Sequence, residues 1–368
     1  MYATFTKGGG DCQDLSVAGP LLIRPRAVLQ REGLVPGLEV LLDGEVVASV
    51  GRGLAAADVL DLPDVVLAPG FVDLHVHELG GAGVLDAERP DLPALARALA
   101  AGGTTAFLAT TAAAPIAELE RVLQHVATAQ PANPSGARCL GVHLEGPWLA
   151  PARAGAQPTA HLAAPAVADL ARLLDAGPVR MVTLAPELPG AMELIEYAVS
   201  RGVVVALGHS DCDYRTAGAA VDAGARHVTH CFNAMSPLHH REPGLAGAAL
   251  DLDVSVELIA DGEHLHPATA RLIHRAVGPS RACLVSDAVD RGARPDGVLA
   301  GAAVTQAAGV RNLVSWGIPL EHALTMAAAT PASVIGHEAV IRPGAPGDLV
   351  AVDDAGRLVA TWVAGVRT

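Results

Sequence analysis

From position 71 onward the chain alternates short apolar runs with longer stretches in which Ala and Leu recur at helical spacing. The strand-like runs cover 71–77, 104–110, 139–145, 180–186, 203–209, 227–231, 254–260 and 282–287, and helical patterns lie between most of them, for example over 92–101, 191–201 and 267–277. Eight largely apolar strands alternating with helices predict an α/β domain: a parallel sheet covered on both faces and closed into a (β/α)8, TIM-like barrel. A doubly wound open sheet is the alternative, but no glycine-rich phosphate loop follows the first strand to support it. Ahead of the barrel, 21–67 reads as short strands broken by turns, with apolar runs at 38–42 and 46–50 around the hairpin signal Asp43-Gly44. Strand character returns at 348–352 and 358–363, around Asp354-Ala355-Gly356. The simplest arrangement joins the outer segments in a small β-sandwich. This divides the chain into 1–67, 68–338 and 339–368, with a loose tail at Gly8-Gly9-Gly10.

Composition narrows the class. A hydrophobic fraction of 51% against 17% charged residues supports a large core, and with only 3% aromatics that core is built from Val, Leu, Ile and Ala. The formal net charge of −14 argues against nucleic acid or an anionic membrane as a partner and leaves room for a small anionic substrate held by a local arginine. The cysteines (Cys12, Cys139, Cys212, Cys231, Cys283) are odd in number and lack CxxC spacing, so they read as reduced thiols of a cytoplasmic protein. Neither a signal peptide nor a membrane-spanning run is visible.

Several strand-like runs end in residues that bind metals or move protons. The first ends Asp73-Leu74-His75-Val76-His77, and the period of two in a strand puts His75 and His77 on one face. The third ends His143-Leu144-Glu145, the fifth in His209, the sixth has His230 near its end and the eighth ends in Asp287. In barrel enzymes the active site lies at the carboxyl ends of the strands, so five ends converge on one point rich in imidazole and carboxylate. That donor set suits zinc or iron(II). A single histidine near a strand end is more often a hydrogen-bonded structural residue, and His227, His239, His240, His274, His322 and His337 take that reading, with His125 and His161 on exposed helix or loop. Asp287 alone could be a helix N-cap. The set outweighs its members because its order along the chain matches the barrel.

The order His-x-His, Glu, His, His, Asp resembles the amidohydrolase superfamily. Within it, the motifs are similar to those of the N-acetylglucosamine-6-phosphate deacetylase family: APGFVDLHVH (68–77), GVHLEGPWL (141–149), TLAPE (183–187), LGHS (207–210), THCFNAM (229–235), REPGLAG (241–247), IADGEH (259–264) and LVSDA (284–288). The resemblance implies a metal-dependent deacetylase of an amino-sugar phosphate. Glu145, His209 and His230 would be the main metal ligands, His75 and His77 would allow a second ion, and Asp287 would be the general acid and base. Asn233, the backbone of Ala234, Arg241 and His264 would hold the substrate, with Arg241 on the phosphate across the interface of a homodimer. Lys7 is the only lysine, so a carboxylated lysine bridging two metals is unavailable, and Glu145 is the carboxylate to take its place.

Two departures from the family pattern bear on the substrate. Gln157 stands where the lid of relatives has a histidine that positions the acetyl group. A glutamine donates a hydrogen bond but cannot become a cation. The segment from Asp290 through Pro295-Asp296-Gly297 to Leu299-Ala300-Gly301-Ala302 is also shorter than its counterpart beside the substrate. Alternatives are therefore a deacylase of another N-acyl small molecule (an N-acyl amino acid or another N-acetylhexosamine phosphate) and a non-catalytic sugar-phosphate binder. The last is disfavoured because ligands and acid/base are all present.

Overall fold

The computed structural model describes residues 19–86, 88, 90–129, 136–290, 299 and 301–368. The glycine tail, Cys12 and most of the segment 291–300 lie outside them. Eight parallel strands form the main body in sequence order: β1 (Phe71–Val76), β2 (Thr104–Thr111), β3 (Arg138–Glu145), β4 (Val179–Leu184), β5 (Val204–Leu207), β6 (His227–Val228), β7 (Ser255–Ile259) and β8 (Ala282–Val285). The ring closes between β8 and β1. Asp287 N donates to His75 O at 2.8 Å and His77 N to Ala288 O at 3.1 Å. These strands read as continuous apolar runs because both faces are covered, and every residue of β1, β2, β5 and β8 is buried. Val72, Leu108, Met181, Ala206, Ile259 and Val285 come from strands on all sides of the ring and pack in one cluster, so they fill its interior.

The helices start where local chemistry satisfies free N–H groups. Asp91 caps α1 (Leu92–Ala101) by accepting from Ala94 N, and Asp213 caps α2 (Tyr214–Asp222) through Thr216 N. α3 (Pro267–Val277) begins with proline, whose missing N–H costs nothing there. Several strands stop earlier than their apolar runs, three of them at left-handed residues. β5 ends at Leu207, β6 at Val228 and β8 at Val285, because His209, His230 and Asp287 turn the backbone to φ values of 47°, 25° and 46°. Left-handed residues cannot continue a pleated strand.

The flanking segments share one continuous sheet, in the order Val366–Arg367, Leu358–Val363, Leu349–Val352, Asp58–Pro69, Leu21–Gln30, Glu39–Asp43, Val46–Gly51, with Gly33–Pro36 paired to the side of Leu21–Gln30. Its own core holds Ile23, Val40, Leu67, Leu349 and Trp362, each fully buried. Gly70 alone separates this sheet from β1, and a Cβ there would lie 2.2 Å from Thr105 Oγ1. Among the described residues no helix is long and apolar enough to cross a membrane.

Candidate active site

His209, His230 and Asp287 share one construction. Each lies two residues beyond its strand and has left-handed backbone. For a non-glycine residue that conformation costs about 1–3 kcal/mol, and it persists only where surroundings over-determine it. Close packing does so at His209. A Cβ on the preceding Gly208 would come within 2.8 Å of Thr229 Cβ and 2.9 Å of Thr183 Cγ2.

The result is a tight meeting of donors. His209 Nε2 and His230 Nε2 are 3.0 Å apart, and they lie 2.9 and 3.0 Å from Glu145 Oε1. His209 Nδ1 faces the carbonyl of Arg153 at 2.9 Å, and a carbonyl only accepts, so Nε2 carries a lone pair. On the other side, His77 Nδ1 donates to Thr110 O at 3.0 Å and His75 Nδ1 to Glu257 Oε2 at 3.0 Å. Their Nε2 atoms are 3.2 Å apart, and each lies 3.4 Å from a Glu145 oxygen and 3.3 Å from Asp287 Oδ1. Glu145 thus joins two sets of buried donors, each able to hold a metal ion. Lone pairs aimed at one point repel unless a cation separates them, so the donor chemistry fits a metal in both sets.

Without an ion, protons on the imidazoles take the place of the cation. Burial alone would raise Glu145, but His75 and His209 hold it well below the usual carboxylate range. Burial likewise opposes charge on His77, yet Asp287 and Glu145 bring it up to about 9. Asp287 is lowered against its burial by His75 and His77, so it is held as a carboxylate. Gln157 Nε2 donates to Glu145 Oε2, and its Oε1 accepts from Ala113 N at 2.8 Å.

These residues line a cavity of about 580 Å³, with Asn233, Ala234 and His264 on its wall and His75 beneath it. His264 Nδ1 donates to Asp261 Oδ2 at 2.6 Å, which raises its pKa although burial opposes the charge. Arg241 is not part of this lining. It is exposed, with Nη1 3.0 Å from His240 Nε2. No lysine or arginine lines the cavity among the described residues.

Sequence reasoning assigned no role to a layer of buried polar residues below these donors. Glu257, fully buried on β7, accepts from His75, from His227 Nε2 at 3.1 Å and from His230 N at 3.0 Å. His143 Nδ1 donates to Leu74 O at 3.0 Å while its Nε2 accepts from Thr183 Oγ1 at 2.7 Å, and burial and His75 lower it to about 3, so it is neutral. Asp73 accepts N–H groups of His75 and Ser286 across the closure, and burial raises it to about 6. The available signal was an ionisable residue inside an otherwise apolar strand.

The chain is similar to known proteins over most of its length. The sequence profile of the amidohydrolase family covers residues 66–367. N-acetylglucosamine-6-phosphate deacetylase of Vibrio furnissii is 38% identical over 341 residues, which cover 85% of either chain. N-acetylgalactosamine-6-phosphate deacetylase of Escherichia coli O157:H7 is 33% identical over 373 residues, 94% of this chain and 98% of that one. The structure of a mutant N-acetyl-D-glucosamine-6-phosphate deacetylase from Mycobacterium smegmatis, in complex with N-acetyl-D-glucosamine-6-phosphate, superimposes with a TM-score of 0.87 at 33% identity, covering 95% of this chain and 99% of that one.

Proposed function

The chain belongs to the amidohydrolase family, and we propose that it hydrolyses N-acetylglucosamine 6-phosphate to glucosamine 6-phosphate and acetate. The family is metal-dependent, and the ligands we assign are Glu145, His209 and His230 for one divalent ion, zinc or iron(II), and His75 and His77 with Glu145 for a second. With a divalent ion bound, the site gains a Lewis acid for the amide carbonyl and a means of lowering the pKa of water toward neutrality.

The protein's own groups supply the rest. Asp287, ionised at rest, accepts the proton of the attacking water and returns it to the leaving nitrogen. Asn233 and Ala234 fix the sugar against the cavity wall, and His264, steadied by Asp261, donates to its oxygens. Gln157 bridges Glu145 and the main chain of Ala113, and its amide is in position to meet the acyl group. The cavity's own described lining offers no lysine or arginine for a phosphate. Arg241 supplies that cation across a homodimer interface, gripping the phosphate through paired N–H donors. The cysteines of the described residues are free, which fits a cytoplasmic enzyme.

The observation that carries the reading is the convergence of Glu145, His209 and His230 with Asp287 in one cavity. Metal analysis joined to an acetate-release assay tests it. Acetate should be released from N-acetylglucosamine 6-phosphate far faster than from unphosphorylated N-acetylglucosamine, and equal rates would remove the phosphate site. N-acetylgalactosamine 6-phosphate is the second substrate to assay, because a relative named for it aligns over 94% of this chain.

A further inference from the structure

Glu257 takes no part in the chemistry above, yet it touches both donor sets. Its Oε2 receives two N–H groups, the ring Nδ1 of His75 and the main-chain N of His230, each at 3.0 Å. Its Oε1 receives His227 Nε2 at 3.1 Å, and His227 Nδ1 meets Ser255 Oγ at 2.6 Å on the far side. The carboxylate and both imidazoles are fully buried, so water offers no substitute partner.

We propose that Glu257 is a positioning residue that ties the two metal-binding sets together from beneath. The inference rests on the metal-binding reading of those sets. A carboxylate only accepts hydrogen bonds. Facing Nδ1 of His75, it leaves that ring with its lone pair on Nε2, aimed at Glu145 and Asp287. The same oxygen pins the amide of His230, whose φ of 25° turns its side chain toward Glu145. One oxygen therefore sets the tautomer of a ligand in one set and the backbone of a ligand in the other. His227 holds the remaining oxygen and so fixes the rotation of the carboxylate.

Glu257→Gln keeps the size and one acceptor oxygen while removing the charge and the second acceptor. Zinc titration of metal-free protein should show two ions bound by the wild type. In the variant, affinity for the ion held by His75 and His77 should fall roughly 10- to 100-fold, with KM for the sugar phosphate little changed and the melting temperature of the metal-free protein preserved. Unchanged zinc affinity, or loss of melting temperature in the metal-free form without weaker binding, would reduce Glu257 to a structural core residue and overturn the proposal. Should the variant not fold, the wild type decides. In ¹⁵N-histidine-labelled protein, the His75 ring (assigned by its loss in His75→Asn) should carry a proton on Nδ1, and an Nδ1 without a proton refutes the proposal. The two readings fail separately. A wild type that binds no metal defeats the metal reading, while the His75 tautomer, measured in that same protein, still judges Glu257.

Discussion

His75 lies within β1 and His77 directly after it, whereas His209 and His230 reach Glu145 from left-handed positions two residues beyond their strands. The first pair is anchored on the barrel wall and core, His77 to the main chain of Thr110 and His75 to Glu257. In the second pair His209 is anchored to the carbonyl of Arg153, in the lid segment that also carries Gln157, and His230 Nδ1 is buried without a partner. The first set is held wholly by the scaffold, while in the second only the main chain of His230 is, through Glu257, and His209 rests on a loop of the cavity wall. The difference teaches that rigidity and responsiveness are divided between two halves of one site, with Glu145 as the shared member.

Glu145→Gln should have the largest effect, since it breaks both halves at once. Loss of several kcal/mol of electrostatic stabilisation corresponds to a fall in turnover of about 10³-fold or more, with bound metal lost from both sets by elemental analysis. Retention of one ion would show that the halves are independent. Asp287→Asn comes next. Metal should remain while turnover drops by about 10²- to 10⁴-fold, read by acetate release from the metal-loaded protein. Gln157→Ala unhooks the lid from Glu145 and leaves Ala113 N without its acceptor. Turnover should fall roughly 10-fold, and metal affinity should weaken at the His209 and His230 set more than at the other. Equal weakening of both would show that the two sets respond to the loop alike.

The smallest effect is a pH dependence. Asp261 raises the pKa of His264 above the ordinary histidine value although burial opposes it. The stability this pair contributes is complete below the ordinary value and fades as pH climbs through the raised one. The melting-temperature difference between wild type and Asp261→Asn should therefore shrink from pH 6 to pH 9, from a contribution of about 1 kcal/mol or less. KM for the phosphorylated substrate should rise over the same range. A difference that grows with pH would assign the stabilisation elsewhere.

Much of this was legible in the sequence, for definite reasons. A barrel strand covered on both faces must be apolar along its length, so polar residues at its end stand out, and Glu145, His209, His230 and Asp287 are of that kind. The exact strand ends were not legible, because whether His209 or His230 continues a strand depends on a left-handed turn forced by packing around Gly208 and Thr229. Glu257 and His143 went without a role because they lie inside their strands. Their partners, His227 and Thr183, come from other strands, and no local pattern announces a contact between residues so distant in the chain. Arg241 was expected at the substrate, and the single chain leaves it exposed outside the cavity.

The continuous flanking sheet sets an order of events during synthesis. Strand Asp58–Pro69 pairs on one side with Leu21–Gln30, made shortly before it, and on the other with Leu349–Val352, made after the whole barrel. While the ribosome works through the barrel, one edge of Asp58–Pro69 has bare N–H and C=O groups, the kind of template that invites pairing with another chain. The buried Val65, Val66 and Leu67 make that edge adhesive until the last strands arrive. Yield in a cell should therefore depend on how promptly translation completes Leu349–Val363 and on chaperones that shield the waiting edge.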